Sequence, residues 1–177
     1  MRKFSAILVS GLTLAAFGAA AQAPGPTDAQ IAAIVVTANQ VDIDAGKLAK
    51  SKSKNKEVKA FAQQMITDHT GVNKSATALV TKLKVKPEQN PTSAGLKEGG
   101  DKNLKNLKGL KGADFDKAYI DNEVGYHQAV LDAVDKTLIP SAKNEELKAL
   151  LVKVRPAFVA HLEHAKQLQA SMGKKGG

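Results

Sequence analysis

The 177-residue chain has no cysteine and no tryptophan, and only five phenylalanines and two tyrosines. Without cysteine there are no disulfides, so stability must come from packing or from a bound ligand. Cysteine-rich metal sites and a lipobox are excluded as well. Any metal has to be held by histidine, aspartate or glutamate, with methionine a weak addition. The shortage of aromatic rings leaves little with which to stack bases, so nucleic acid is not expected as a partner despite a formal net charge of +9. Catalytic signatures are missing too: there is no Gly-x-Ser-x-Gly elbow, no P-loop and no Gly-x-Gly-x-x-Gly fingerprint. His161 and His164 stand three apart without the zinc-protease glutamate in frame. The sequence leans away from an enzyme.

Only one long apolar run is present, at the N-terminus. Arg2 and Lys3 precede an apolar stretch from Phe4 to Ala20, and Ala21-Gln22-Ala23 supplies a small-x-small cleavage site. Residues 1–23 therefore read as a secretory signal peptide in preference to an uncleaved anchor, which implies a periplasmic or secreted protein. Residues 24–172 then form one domain with room for a sizeable core. The Gly/Lys tail 173–177 is expected to fray.

Apolar residues elsewhere recur at helical spacing, and no segment sustains strand alternation. A first helix runs from Asp28 to about Ser51, with Thr27 and Gln30 as a capping box. One register of its seam is Val35, Ala38, Asp42, Ala45, Ala49. The second, capped by Asn55, reaches about Lys84 with Val58, Phe61, Ala62, Met65, Val72, Ala76, Leu79 and Leu83 on one face. A Gly-rich, basic connection over 86–111 follows, in which Leu104, Leu107 and Leu110 alternate with Lys105, Lys108 and Lys111. It offers an adhesive patch for an anionic envelope surface, but the preferred reading is a crossover that tucks its leucines over the bundle and leaves its lysines in water. Two further helices span about 114–137 and from about Asn144 onward, the latter containing Pro156. This is an all-α chain, an antiparallel four-helix bundle with a long crossover between helices 2 and 3.

Each helix carries one polar residue on its apolar seam near mid-length: Asp42, His69, His127 and His161. Mid-helix residues of antiparallel helices meet at one level whichever way each runs. One such histidine is ordinarily a satisfied core residue, but four coincident polar residues nominate an interior cluster with one ligand per helix. Three imidazoles and a carboxylate suit a transition metal, and Zn, Cu, Fe, Mn or Ni would all accept them. Glu123, Asp68, Asp116 and Tyr119 are near enough in register to support the ligands, and His164, three residues after His161, could add an imidazole.

The segments Ala38-Asn-Gln-Val-Asp42-Ile-Asp-Ala-Gly46-Lys-Leu-Ala49, Val58 through His69, Phe115-Asp116-Lys-Ala-Tyr119-Ile120 through His127, and Pro156 through His161-Leu-Glu-His-Ala165 together resemble the exported bacterial domain-of-unknown-function family 4142. The resemblance covers about residues 28–170. It implies a ferritin-like four-helix bundle in the cell envelope and no established reaction. The family's motif histidines match His69, His127 and His161, and its acidic first-helix position matches Asp42, where Glu is more usual. Paired Glu-x-x-His motifs of the di-iron bundles are absent, so ferroxidase chemistry is not supported.

Two functional readings follow. In the first, an exported bundle binds a transition metal in its core and serves envelope metal handling or stress protection. In the alternative, a metal-free structural or interaction module keeps a buried His/Asp network and docks its basic segment on an anionic envelope surface.

Overall fold

The structure is a computed structural model and describes residues 25–175. The expected signal peptide, 1–23, and the last two residues of the tail lie outside the described residues. All regular structure within them is helical: α1 (Asp28–Lys52), α2 (Lys56–Lys82), α3 (Pro91–Gly109), α4 (Gly112–Ala133) and α5 (Glu145–Lys175). A π-helical segment, Val134–Leu138, continues α4 without a break into a single turn at Ile139–Ser141. Among the described residues, no helix is long and apolar enough to cross a membrane.

Local chemistry sets the ends. Thr27 and Gln30 form the reciprocal capping box at α1, and Asn55 Oδ1 accepts from the amides of Glu57 and Val58 at the start of α2. Asn144 does the same for Glu146 and Leu147 ahead of α5. Pro140 has no N–H to donate, and in a regular α-turn its ring would press on the carbonyl four residues back. The wider π turn just before it accommodates that ring.

Two apolar clusters fill the interior. The first takes Ile31, Ile34 and Val35 from the start of α1 but Val72 and Ala76 from the second half of α2. The second takes Ala45 and Ala49 from the end of α1 and Val58, Phe61 and Met65 from the beginning of α2. Helix α4 enters at the second cluster with Phe115, Tyr119 and Ile120 and leaves at the first with Leu131, whereas α5 begins at the first with Leu147 and Leu151 and ends at the second with Leu168. Helices α1 and α5 thus run one way, and α2 and α4 the other.

Because α2 and α4 share a direction, the chain must return along the molecule between them. Glycine content and basic charge suggest a connection over 86–111, but most of that return is helix α3. Asn90 and Ser93 cap each other reciprocally with Pro91 at the first turn. Ion pairs Lys97–Asp101 and Glu98–Lys102, each four residues apart, lie along its exposed side. Its glycines suggest a loop when counted, but Gly100 has a packing reason. A Cβ there would lie 2.8 Å from both methyl carbons of Val41, so the absence of a side chain lets α3 lie directly on α1. Leu107 is fully buried in the second cluster and Leu110 packs against it, while Lys105, Lys108 and Lys111 are exposed.

Adjacent glycines of α3 should therefore respond oppositely to alanine. Gly100→Ala forces Val41 or α3 to shift and should cost about 1–3 kcal/mol. Gly99→Ala meets nothing within 4 Å and should stabilise by roughly 0.5–1 kcal/mol through the unfolded state and helix propensity. Urea melts of the two variants against the parent check both signs.

Candidate metal centre

Between the two apolar clusters lies a layer of buried polar side chains. The seam of α1 reads Val35, Asn39, Asp42, Gly46, Ala49, so Asn39 and not Ala38 occupies the position next to Asp42. Asp42, His127, His161 and Glu123 are each 1 % exposed, and His69 is 3 % exposed. The three imidazole centroids form a near-equilateral triangle with edges of 5.2, 5.4 and 5.6 Å. One face of the His69 ring is covered by the stacked ring of Phe158, 5.3 Å away and tilted by only 12°.

Each histidine has one nitrogen committed to an oxygen that can only accept. Asn39 Nδ2 donates to the Val35 carbonyl at 2.8 Å, which turns its Oδ1 toward His69. At 2.6 Å from that oxygen, His69 Nδ1 must be the donor. His127 Nδ1 donates to the carbonyl of Glu123 at 3.0 Å, and His161 Nε2 to Asp68 Oδ2 at 2.8 Å. In the neutral tautomers so defined, His69 Nε2, His127 Nε2 and His161 Nδ1 carry lone pairs. These three nitrogens are buried and have no hydrogen-bond partner. The three histidines offer ligand atoms all within 4.8 Å of one another.

Asp42 completes the arrangement. Its Oδ2 lies 2.9 Å from His69 Nε2 and 3.4 Å from His127 Nε2, yet neither carboxylate oxygen has a hydrogen bond of acceptable geometry. At 2.9 Å distance is not the obstacle, so the oxygen lies off the axis along which a ring N–H would point. Acceptors face acceptors here, and an unsatisfied buried polar group costs about 1–3 kcal/mol. A cation between Asp42 Oδ2 and the two ring nitrogens would resolve both of these contacts. Ligands about 2.0–2.2 Å from a tetrahedral ion stand roughly 3.3 Å apart, which is the scale of the Asp42 contacts.

The electrostatics of the layer are uneven. Burial pushes the Asp42 carboxyl up, but the three histidines together with the His69 contact outweigh it and hold it below its ordinary value. Glu123 behaves oppositely: burial, and then the neighbouring Asp42 charge, push its carboxyl well above the usual range. It is the neutral acid of the pair. Burial lowers His127 to about 4, with Asp42 opposing the shift and His69 and His161 adding to it. For His161, burial again lowers the value against the raising effect of Asp68.

Of the residues nominated from sequence, the structure brings His69, His127, His161 and Asp42 into one layer. Asp68 and Glu123 each accept a hydrogen bond from a ring N–H, Asp68 through its side chain and Glu123 through its backbone carbonyl. The Glu123 side chain also converges with Asp42 and His127 within 4.8 Å. Tyr119 lies in the second apolar cluster, its ring 6.2 Å from that of Phe61 and its buried hydroxyl unpartnered. Asp116, on the same helix, is buried with one oxygen unpartnered. Neither bonds a ring nitrogen of the three histidines. His164 turns to Gln64 Oε1 at 3.2 Å and meets the edge of Phe61, outside the converging set. Asn39 was overlooked in the sequence because the chosen register put Ala38 on the seam. An amide three residues before a seam carboxylate was the available signal.

The depressed pKa of His127 has a definite sign for stability. Its folded value, about 4, lies below the 6.5 of the free side chain, so between these values the unfolded chain binds the extra proton. The stability this contributes is fully present above pH 6.5 and is lost as pH falls toward 4; the shift of His161 acts in the same direction. The raised Glu123 carboxyl acts in the opposite direction over the same window, so the sign is read by difference: relative to the metal-free parent, His127→Gln should lose less melting temperature as pH falls from 6.5 toward 4 at constant ionic strength. Thermal melts by circular dichroism across the window check this.

No match was found among curated proteins or among solved structures. The family model described as Domain of unknown function (DUF4142) matches residues 14–168, and with nearly the whole chain inside that match, this protein belongs to the DUF4142 family.

Proposed function

We propose that this chain binds one transition-metal ion in its core through His69 Nε2, His127 Nε2, His161 Nδ1 and the Asp42 carboxylate. The observation that carries the reading is the set of buried acceptors without hydrogen-bond partners: one nitrogen on each of three imidazoles that converge, and the Asp42 carboxylate beside His69 and His127. The outer nitrogen of each ring is held by Asn39, Glu123 or Asp68, the way ligating imidazoles are ordinarily oriented. Imidazole-rich sites with one carboxylate suit zinc, copper, iron or nickel. The parallel α2 and α4 joined by a long crossover support reading the bundle as ferritin-like. The N-terminal Arg2-Lys3, apolar run and Ala21-Gln22-Ala23 support export, so the activity proposed is metal handling in the bacterial envelope.

Metal analysis by plasma mass spectrometry should find about one ion per purified chain and none in His127→Ala, as expected for a site that cannot close without all its ligands. Chelator should lower the melting temperature of the parent and leave that of His127→Ala unmoved. Absence of metal from both, with refusal of Zn, Cu, Ni, Mn and Fe on titration, would overturn the reading. Asn39→Leu keeps all four ligands and removes only the acceptor that orients His69. It should weaken affinity by about 10–100-fold in a competition titration.

A further inference from the structure

A cavity of about 440 Å³ opens beside this layer. Its walls are apolar, formed by Ile34, Val35, Val130, Leu138, Leu151 and Phe158, and His69 and His127 are among its lining residues. Exposed Thr92 and half-buried Asn90 and Gln30 line its outer part, whereas Val35, Leu138, Leu151 and both histidines are buried. Ala129 and Thr137, on the opposite side of the opening, are exposed as well, so the cavity opens between the start of α3 and the α4–π segment and reaches the imidazoles. Cavities of this size, apolar with a few polar groups at one end, are the usual form of small-molecule sites.

The lining also limits what would fit. Among the described residues, no Lys, Arg, Asp or Glu borders the cavity. The polar groups at its inner end are already spoken for: Tyr126 donates its hydroxyl to the Ala38 carbonyl at 2.8 Å, and both ends of the Asn39 amide are bonded. What remains unpartnered among the lining histidines is His69 Nε2 and His127 Nε2, two of the three ring nitrogens that would hold the metal. A ligand with several polar groups would lose its hydration without compensation along the walls. An ion held by the three histidines and Asp42 would satisfy one oxygen head by taking it as an additional, fifth ligand.

The π-helical segment contributes Val134, Thr137 and Leu138 to the lining. A π turn carries an extra residue relative to α-helix, and such segments recur at functional sites. Val134 and Leu138 are both buried here and pack into the first apolar cluster.

We infer that this cavity binds an apolar molecule with a single anionic oxygen head, inserted head-first so that the head reaches the metal held by His69 and His127. The head-group assignment rests on the metal reading, whereas the apolar cavity stands apart from it. Decanoate is a suitable probe, titrated calorimetrically into purified protein, zinc-loaded and metal-free. Saturable one-to-one binding with a negative heat-capacity change is expected, tightened about tenfold or more by zinc. Val130→Phe and Ala133→Leu, two half-buried wall positions, each extend bulk into the opening and should weaken binding about tenfold while zinc is still taken up.

The outcomes separate the two readings. Zinc bound at one per chain without saturable decanoate binding overturns the cavity proposal, as does binding that neither folded wall variant affects. Zinc bound with decanoate affinity unchanged by it overturns the head-first orientation. Decanoate bound and blocked by the wall variants, in a protein that refuses zinc, upholds the cavity and removes the metal reading along with the head-group assignment.

Discussion

The contact on which the rest of the structure turns is the approach of Asp42 Oδ2 to His69 Nε2 and His127 Nε2, in the layer that divides the apolar core. Both rings present lone pairs because their other nitrogens already donate to Asn39 and Glu123. A carboxylate facing lone pairs in a desolvated interior has no favourable partner unless positive charge lies between them. A metal ion asks only that lone pairs converge. The same geometry explains why α1, α2, α4 and α5 each contribute to this layer near mid-length and build apolar contacts on either side.

Orientation of the rings is distributed over three unlike partners. Asn39 is itself fixed by the Val35 carbonyl, Glu123 acts through its backbone, and Asp68 reaches His161 from a partly exposed position. Loss of any one would free a ring to flip, after which a nitrogen bearing a proton would face the centre. Such outer partners commonly matter to metal affinity nearly as much as the ligands do. Phe158, stacked on His69, adds a steric wall that keeps the ring from tilting out of the layer.

Around this layer, the chain departs from a plain bundle in two places. Helix α3 lies on α1 through the glycine gap at Gly100, returning the chain to the end where α4 begins. The π segment ahead of Pro140 widens the last turns of α4 beside the apolar cavity. Both features fall on the side of the molecule where the cavity reaches His69 and His127, since α3 supplies part of its mouth and α4 part of its wall.

Helix periodicity, the capping residues Thr27 and Asn55, and seam positions for Asp42, His69, His127 and His161 were all legible in the linear sequence, because each depends on spacing within a single helix. The absence of cysteine, too, limited by composition alone which atoms could hold a metal. Other features depend on contacts between helices. Asn39 joined the layer only because α1 rotates to put it against His69, and a seam written through Ala38 was equally good on spacing. Helix α3 was hidden by its glycine content, whose meaning at position 100 is a close approach to Val41, fifty-nine residues earlier in the chain. The split of the four histidines into three that converge and one that turns to Gln64 is likewise tertiary. His161 and His164 are one turn apart, so small differences in helix rotation decide which reaches the centre.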